Sequence, residues 1–126
     1  MNAKVLLVDD EPAVLKCLSS ALTRFGYDVT AVHTGRAALE ELGRGRFDLV
    51  ITDFRMPDFM GDAVVDAIRE HRRDTAILLI TGYFDELPQH LRSGPEAVEV
   101  LIKPFSLSSL RSMVETILRR HTTAAA

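Results

Sequence analysis

Five short apolar runs, rich in β-branched residues, recur along the chain. They occupy residues 5–8, 29–32, 49–52, 77–80 and 98–102. Several of these runs are apolar without a polar residue at every second position, which is typical of parallel strands covered on both faces. The pattern therefore predicts five strands separated by helices.

The intervening stretches have helical spacing. The first helix places Leu15, Leu18 and Leu22 on one stripe and is expected to end at Gly26, because glycine readily takes the left-handed conformation just past a helix end. Thr34 is predicted to cap a second helix that runs to about residue 42. The third is predicted over roughly 62–71, and a fifth, with an apolar stripe, after a serine cap at 106.

Proline limits the fourth helix. Pro88 is tolerated only in a first helical turn, so this helix should begin near residues 85–87 and end by Gly94. Alternating strands and helices predict a doubly wound (βα)5 domain of three layers around a five-stranded parallel sheet, with its ligand site at the carboxyl ends of the strands. Residues 1–121 are expected to form this domain, and 122–126 a tail or linker stub.

Composition narrows the function classes. The 126 residues are 47% hydrophobic, as expected for one compact domain, and the net charge of −3 gives no electrostatic footprint for nucleic acid or membrane. No apolar run approaches the roughly 18 residues that a membrane span needs. The single cysteine, Cys17, and the lack of an apolar leader favour the cytoplasm.

Reactive side chains follow the predicted strands. Asp9 and Asp10 follow the first strand, Asp53 the third, Thr81 the fourth and Lys103 the fifth. Two carboxylates about 4 Å apart repel by roughly 4 kcal/mol at an effective dielectric near 20, so a bound cation is expected, and Mg²⁺ fits the oxygen ligands. A carboxylate nucleophile, a metal, a lysine and a hydroxyl together favour phosphoryl transfer.

Four segments carry a resemblance to a known family. LLVDDE at 6–11, ITDFRMPDFMG at 51–61, ITG at 80–82 and LIKPF at 101–105 resemble, in order, the signature segments of response regulator receiver domains. The resemblance covers essentially the whole chain. It implies that Asp53 is phosphorylated, Asp10 and the main-chain carbonyl of Arg55 bind the metal, Asp9 contacts it through water, and Thr81 and Lys103 contact the phosphoryl group.

The resemblance also implies a wider context. The fold would be flavodoxin-like with strand order 2-1-3-4-5, the metal Mg²⁺ or alternatively Mn²⁺, and the 103–104 peptide bond cis. A histidine kinase or phosphotransfer protein would be the phosphodonor, and hydrolysis would follow. The chain would be a signalling domain, not an enzyme. It would act on a protein or output domain through the fourth helix, the fifth strand and the fifth helix. A phosphorylation-dependent homodimer would be a possible form.

Two positions differ from, or vary within, the family pattern. Where the family usually carries Tyr or Phe three residues before the lysine, this chain has Val100, so the aromatic half of the usual switch is missing. Arg55 and Tyr83 stand beside the site at variable positions and are expected to affect rates.

Three other functions fit the sequence less well. An aspartyl-phosphate phosphatase of the haloacid dehalogenase type would need a second acid where Arg55 stands. A flavodoxin-like cofactor carrier is disfavoured, because the acidic first loop would repel a phosphate. A phosphate-independent receiver-like interaction module is the main alternative; it usually follows loss of an acid or of the lysine, and this chain keeps them all.

Overall fold

Strands and helices alternate along the chain. The computed structural model describes residues 2–56, 58, 61–71 and 74–125. The strands are β1 (Lys4–Val8), β2 (Asp28–Val32), β3 (Leu49–Asp53), β4 (Ala76–Thr81) and β5 (Glu99–Ile102). The helices are α1 (Pro12–Arg24), α2 (Gly35–Arg44), α3 (Gly61–His71), α4 (Gln89–Arg92) and α5 (Leu107–Ala125), with a 3-10 turn at Phe84–Glu86.

All five strands form one parallel sheet in the order β2-β1-β3-β4-β5. In the inner strand β1, Val5 pairs with Val29 of β2 on one side and with Leu49 of β3 on the other. The predicted fold class and strand order are therefore confirmed. Because every strand runs in the same direction, the chain places all five carboxyl ends at one edge of the sheet.

Helices cover the sheet on both faces. On one face, α1 and α5 pack against alternate strand residues, with Leu22 and Leu110 fully buried among Val5, Ile51 and Ile80. The other face is covered by α2, α3 and the short α4, in two adjoining apolar clusters. This double covering explains why β3 is buried at every position and shows no polar alternation.

Three predicted helix ends are confirmed. Gly26 has φ +101°, the left-handed conformation that favours glycine after α1. The Thr34 hydroxyl accepts a hydrogen bond from the Ala37 N–H (3.0 Å) at the start of α2, and the Ser106 hydroxyl accepts one from the Ser109 N–H (3.0 Å) before α5.

The predicted start of the fourth helix is wrong. Residues 84–86 form a separate 3-10 turn, and α4 is a single turn that begins at Gln89, with Pro88 as its N-cap residue. Pro88 has ψ 144°, an extended value that ends the preceding turn and lets a new one begin. The helix ends before Gly94, which has φ +89°, as expected.

The fifth helix is long. It continues to Ala125 and so includes most of the segment expected to form a tail, while the domain boundary at 121 stays a prediction. Within the described part of the chain, we find no helix with both the length and the apolar character to cross a membrane.

Candidate functional site

The acidic loop after β1 contributes two carboxylates to the carboxyl edge of the sheet. Asp9 is only 1% exposed and Asp10 is half-buried. The Asp9 carboxylate accepts a hydrogen bond from the Glu11 N–H (2.9 Å), while its own N–H donates to the Val32 carbonyl of β2 (3.2 Å). The loop is therefore fixed by the edge strand and by its own turn.

Asp53, the last residue of β3, lies opposite this loop. It is 8% exposed, and both of its carboxylate oxygens have partners. Oδ2 lies 2.8 Å from the Nζ of Lys103, and Oδ1 accepts the Arg55 N–H at 3.2 Å. The Lys103 N–H donates to the Thr81 carbonyl (2.8 Å), which fixes the end of β5 against the end of β4.

The three carboxylates converge. One oxygen from each of Asp9, Asp10 and Asp53 lies within 4.8 Å of the other two. A cluster of carboxylate oxygens is the donor set that a hard divalent cation such as Mg²⁺ requires, and it supplies more negative charge than Lys103 alone can offset. The residues therefore fit the metal that the sequence predicts.

The pKa values reflect this crowding. Burial raises the pKa of Asp9, and the charges of Asp53 and Asp10 raise it further, against the opposing effects of the Glu11 N–H and Lys103. Burial would lower the pKa of Lys103, but its hydrogen bond and ion pair with Asp53 and the charges of Asp9 and Glu11 raise it overall. Lys103 is therefore held in its charged form.

Thr81 is buried at the end of β4, beside the loop that follows. Its hydroxyl oxygen accepts the Tyr83 N–H at 3.1 Å and lies 3.3 Å from the Tyr83 carbonyl oxygen, to which the hydroxyl can donate. The side chain is thus bound to the loop backbone, and the contact with a phosphoryl oxygen that the resemblance implies stays a prediction.

Two interactions of this site were not anticipated from the sequence. The Arg55 guanidinium binds the Glu86 carboxylate through two N–H groups, one of them at 2.9 Å. The Asp58 carboxylate accepts the N–H groups of Gly35 and Arg36 (3.1 and 2.9 Å), at the first turn of α2. Both partners are distant in the sequence, and no local pattern indicated them.

One further position has the local structure that the resemblance implies. The Lys103–Pro104 peptide bond is cis. Val100 is partly buried and packs against the apolar cluster of Phe54, Leu79, Leu87 and Leu91, as an ordinary β-branched core residue would. Tyr83 is 69% exposed.

Comparison with known proteins gives consistent matches. The family model described as "Response regulator receiver domain" matches residues 5–115. Over 118 residues the chain is 38% identical to response regulator protein PilR of Pseudomonas aeruginosa, covering 92% of this chain and 26% of PilR. Among the first curated relatives, the matched region spans between 24% and 52% of their length.

Solved structures have the same architecture. The chemotaxis response regulator CheY4 of Vibrio cholerae is 32% identical, with a TM-score of 0.81 over 93% of this chain and 99% of that one. Response regulator TrrA of Thermotoga maritima, in complex with Mg²⁺ and beryllium fluoride, is 33% identical, with a TM-score of 0.78 and the same coverage.

Proposed function

Because the chain belongs to the response regulator receiver domain family, we propose that it is a phosphoacceptor that takes a phosphoryl group on Asp53 in a Mg²⁺-dependent reaction. The observation that carries this proposal is the 2.8 Å contact between Lys103 Nζ and Asp53 Oδ2 beside two further carboxylates. The donor is a histidine kinase or a phosphotransfer protein.

Asp53 is the nucleophile. One of its carboxylate oxygens forms a bond to phosphorus while the bond from phosphorus to the donor's imidazole nitrogen breaks, and the donor keeps that electron pair. The Arg55 N–H orients the carboxylate through Oδ1, and Lys103, already paired with Oδ2, offsets the charge that develops on the transferred oxygens.

Mg²⁺, when bound, offsets the charge of the carboxylates and of the phosphoryl oxygens. The residues that would hold it are Asp10, Asp53 and the Arg55 carbonyl directly, and Asp9 through a water molecule; Mn²⁺ has suitable chemistry for the same oxygen ligands. Asp9 and Asp53 are both buried even without the metal, so the acceptor carboxylate is largely shielded from solvent.

Thr81 joins the reaction only by changing partners. Its hydroxyl can donate one hydrogen bond, so a contact with a phosphoryl oxygen requires that it give up the donation to the Tyr83 carbonyl, which weakens its hold on the start of the loop after β4. This exchange would connect phosphorylation to residues 82–87.

The output is a changed protein surface. Receiver domains are signalling domains, not conventional enzymes, and we propose that this one acts in the cytoplasm on a downstream protein or output domain through the surface of α4, β5 and α5, with a phosphorylation-dependent homodimer as one form. Ile102 and Leu107 are large apolar side chains exposed in β5 and α5, at 48% and 39%.

The test is phosphorylation by a small donor. The purified chain is incubated with phosphoramidate, with Mg²⁺ or with a chelator, and its intact mass is measured. We expect a gain of one phosphoryl group that requires Mg²⁺, is lost in Asp53→Asn and persists in Asp85→Asn, which removes the same charge from an exposed position.

A gain that persists in Asp53→Asn would place the phosphoryl group elsewhere and contradict the proposal. No gain with the small donor or with a panel of histidine kinases, together with Mg²⁺ binding by calorimetry, would favour the phosphate-independent interaction module.

A further inference from the structure

Arg55 contacts two parts of the molecule that are separate in sequence. Its main-chain N–H donates to Asp53 Oδ1, and its guanidinium forms a two-point ion pair with Glu86 in the 3-10 turn. Residues 83–92 are here called the β4–α4 segment. Arg55 therefore contacts the phosphoacceptor through its backbone and the β4–α4 segment through its side chain.

The β4–α4 segment has little regular structure of its own. It consists of a three-residue turn and a single turn of helix, stabilised by backbone bonds such as Leu87 N–H to the Phe84 carbonyl (3.1 Å) and Leu91 N–H to the Pro88 carbonyl (2.9 Å). Leu87 and Leu91 anchor it in the core. Short elements of this kind open locally at low free energy, so one added or lost contact changes their population.

The ion pair is weak enough for another anion to replace Glu86 as the partner of Arg55. Its two parallel N–H to oxygen contacts give it good geometry, but it is open to solvent on the Arg55 side, where the side chain is 68% exposed against 27% for Glu86. Exposed pairs of this kind change an equilibrium constant by a factor of about five or less.

Resting on the proposed function, we infer that the Arg55–Glu86 pair couples the acceptor site to the β4–α4 segment, and that phosphorylation of Asp53 draws the guanidinium away from Glu86. Phosphorylation adds negative charge and three acceptor oxygens two residues before Arg55. The guanidinium then has a competing anionic partner, and the β4–α4 segment loses its ion pair with the loop after β3.

Hydrogen exchange of the segment tests this directly. Amide exchange of residues 83–92 is measured by mass spectrometry before and after phosphorylation with phosphoramidate and Mg²⁺. In the wild type and in Asp85→Asn, phosphorylation should speed exchange about fivefold. In Glu86→Gln and Arg55→Gln, exchange should already be faster without phosphate, and phosphorylation should speed it by clearly less than in the wild type, leaving only the effect transmitted through Thr81.

Asp85→Asn is the matched control, because it removes the same charge from the neighbouring residue of the same turn. The Asp85 side chain is 99% exposed, and its nearest described cation, Arg92, lies at 3.9 Å. The double variant Arg55→Gln/Glu86→Gln should exchange like either single variant, since a contact that is already broken cannot be broken twice.

Coupling is reciprocal, so Glu86 must also affect the site. Binding of beryllofluoride with Mg²⁺ should be tighter in Glu86→Gln by up to about fivefold, because Arg55 is released for the phosphoryl analogue, and unchanged in Asp85→Asn. The double variant should lose this gain.

The outcomes separate the two proposals. Equal behaviour of Glu86→Gln and Asp85→Asn in both measurements, with the wild type phosphorylated normally, would overturn the coupling alone. A wild type that gains no phosphoryl group on Asp53 would overturn the coupling together with the proposed function.

Discussion

Asp9 is a carboxylate in surroundings that disfavour its charge. It is 1% exposed, and its pKa is raised by burial and by the neighbouring carboxylates of Asp53 and Asp10. Such an arrangement costs folding free energy when no cation is bound, and it is retained where charge is needed for binding. The buried acid therefore opposes stability, as the proposed metal site would lead us to expect.

The variant Asp9→Asn should be more stable than the wild type in the absence of divalent metal. Asparagine removes the charge but can still accept the hydrogen bond from the Glu11 N–H through its side-chain oxygen. We expect the free energy of unfolding at neutral pH to rise by about 1 kcal/mol, a typical size for a single substitution. Urea unfolding in chelator measures it, with Asp85→Asn as the exposed control.

The same variant gives a pH dependence of known sign. Because the folded-state pKa of Asp9 is raised, the folded protein binds a proton more tightly than the unfolded chain. The destabilising effect of Asp9 is therefore present above that pKa and disappears as the pH falls through it. The stability difference between Asp9→Asn and the wild type should shrink on acidification; a constant difference would contradict the assignment.

Lys103 has the opposite role, since it offsets part of the charge of the acidic cluster. In Lys103→Met the Asp53 carboxylate loses its 2.8 Å partner in a site that is 8% exposed. We expect a loss of about 1 to 3 kcal/mol in metal-free urea unfolding at neutral pH. Since the pKa of Lys103 is raised, this contribution is lost only as the pH rises through that pKa.

The exposed Lys16 on α1 provides a control for Lys103. Lys16→Met removes an equal charge from an exposed position and should change stability by less than about 0.5 kcal/mol. Equal losses in the two variants would mean that the Lys103–Asp53 pair has no specific effect.

Among the elements, α4 depends most plainly on tertiary packing. A four-residue helix makes too few internal hydrogen bonds to form alone, because nucleation costs more than one turn returns. Its only fully buried side chain is Leu91, which lies in a cluster with Leu87, Phe54 and Leu79. The position of α4 is therefore set by the core beneath it.

Leu91→Ala should destabilise the protein strongly for so short a helix. Truncating a fully buried leucine costs about 2 to 5 kcal/mol, through lost burial and the cavity left behind. Thermal or urea unfolding measures the loss. Leu39→Ala, the same change at a 37% exposed position of α2, should cost less than about 1 kcal/mol, and a similar loss in both would contradict this view of α4.

At the scale of the whole molecule, the parallel topology collects acids from the end of β3 and from the loop after β1 at one edge, so that binding of the proposed metal would depend on folding. The cluster forms only when both strands are in place, so the proposed Mg²⁺ site exists in the folded chain and not in the unfolded one. Ligand binding of this kind raises stability by about 2.7 kcal/mol at a free concentration of 100 times the dissociation constant.

Mg²⁺ should therefore raise the melting temperature in a concentration-dependent way that NaCl of equal ionic strength does not reproduce. The shift should be strongly reduced in Asp10→Asn and Asp53→Asn and retained in Asp85→Asn. It should also weaken on acidification, because protons compete for Asp9, whose pKa is raised. A shift that survives in Asp10→Asn and Asp53→Asn would place the ion elsewhere.

Local patterns were sufficient for most of the fold. Apolar runs predicted all five strands, and glycine, threonine and serine at helix ends predicted termini that the structure confirms at Gly26, Thr34 and Ser106. The resemblance of four segments to the receiver family supplied the strand order. The same apolar runs also located the ends of the strands, and these ends predicted which carboxylates and which lysine would meet.

Long-range contacts between side chains could not be read in this way. The pairing of Arg55 with Glu86, the capping of α2 by Asp58 and the start of α4 depend on how loops from distant parts of the chain approach one another. Sequence by itself determined the periodicities, the helix caps and the chemistry at each strand end, because these depend on neighbours in the chain. Tertiary structure alone decided which loop charges lie in contact, because that depends on packing across the sheet edge.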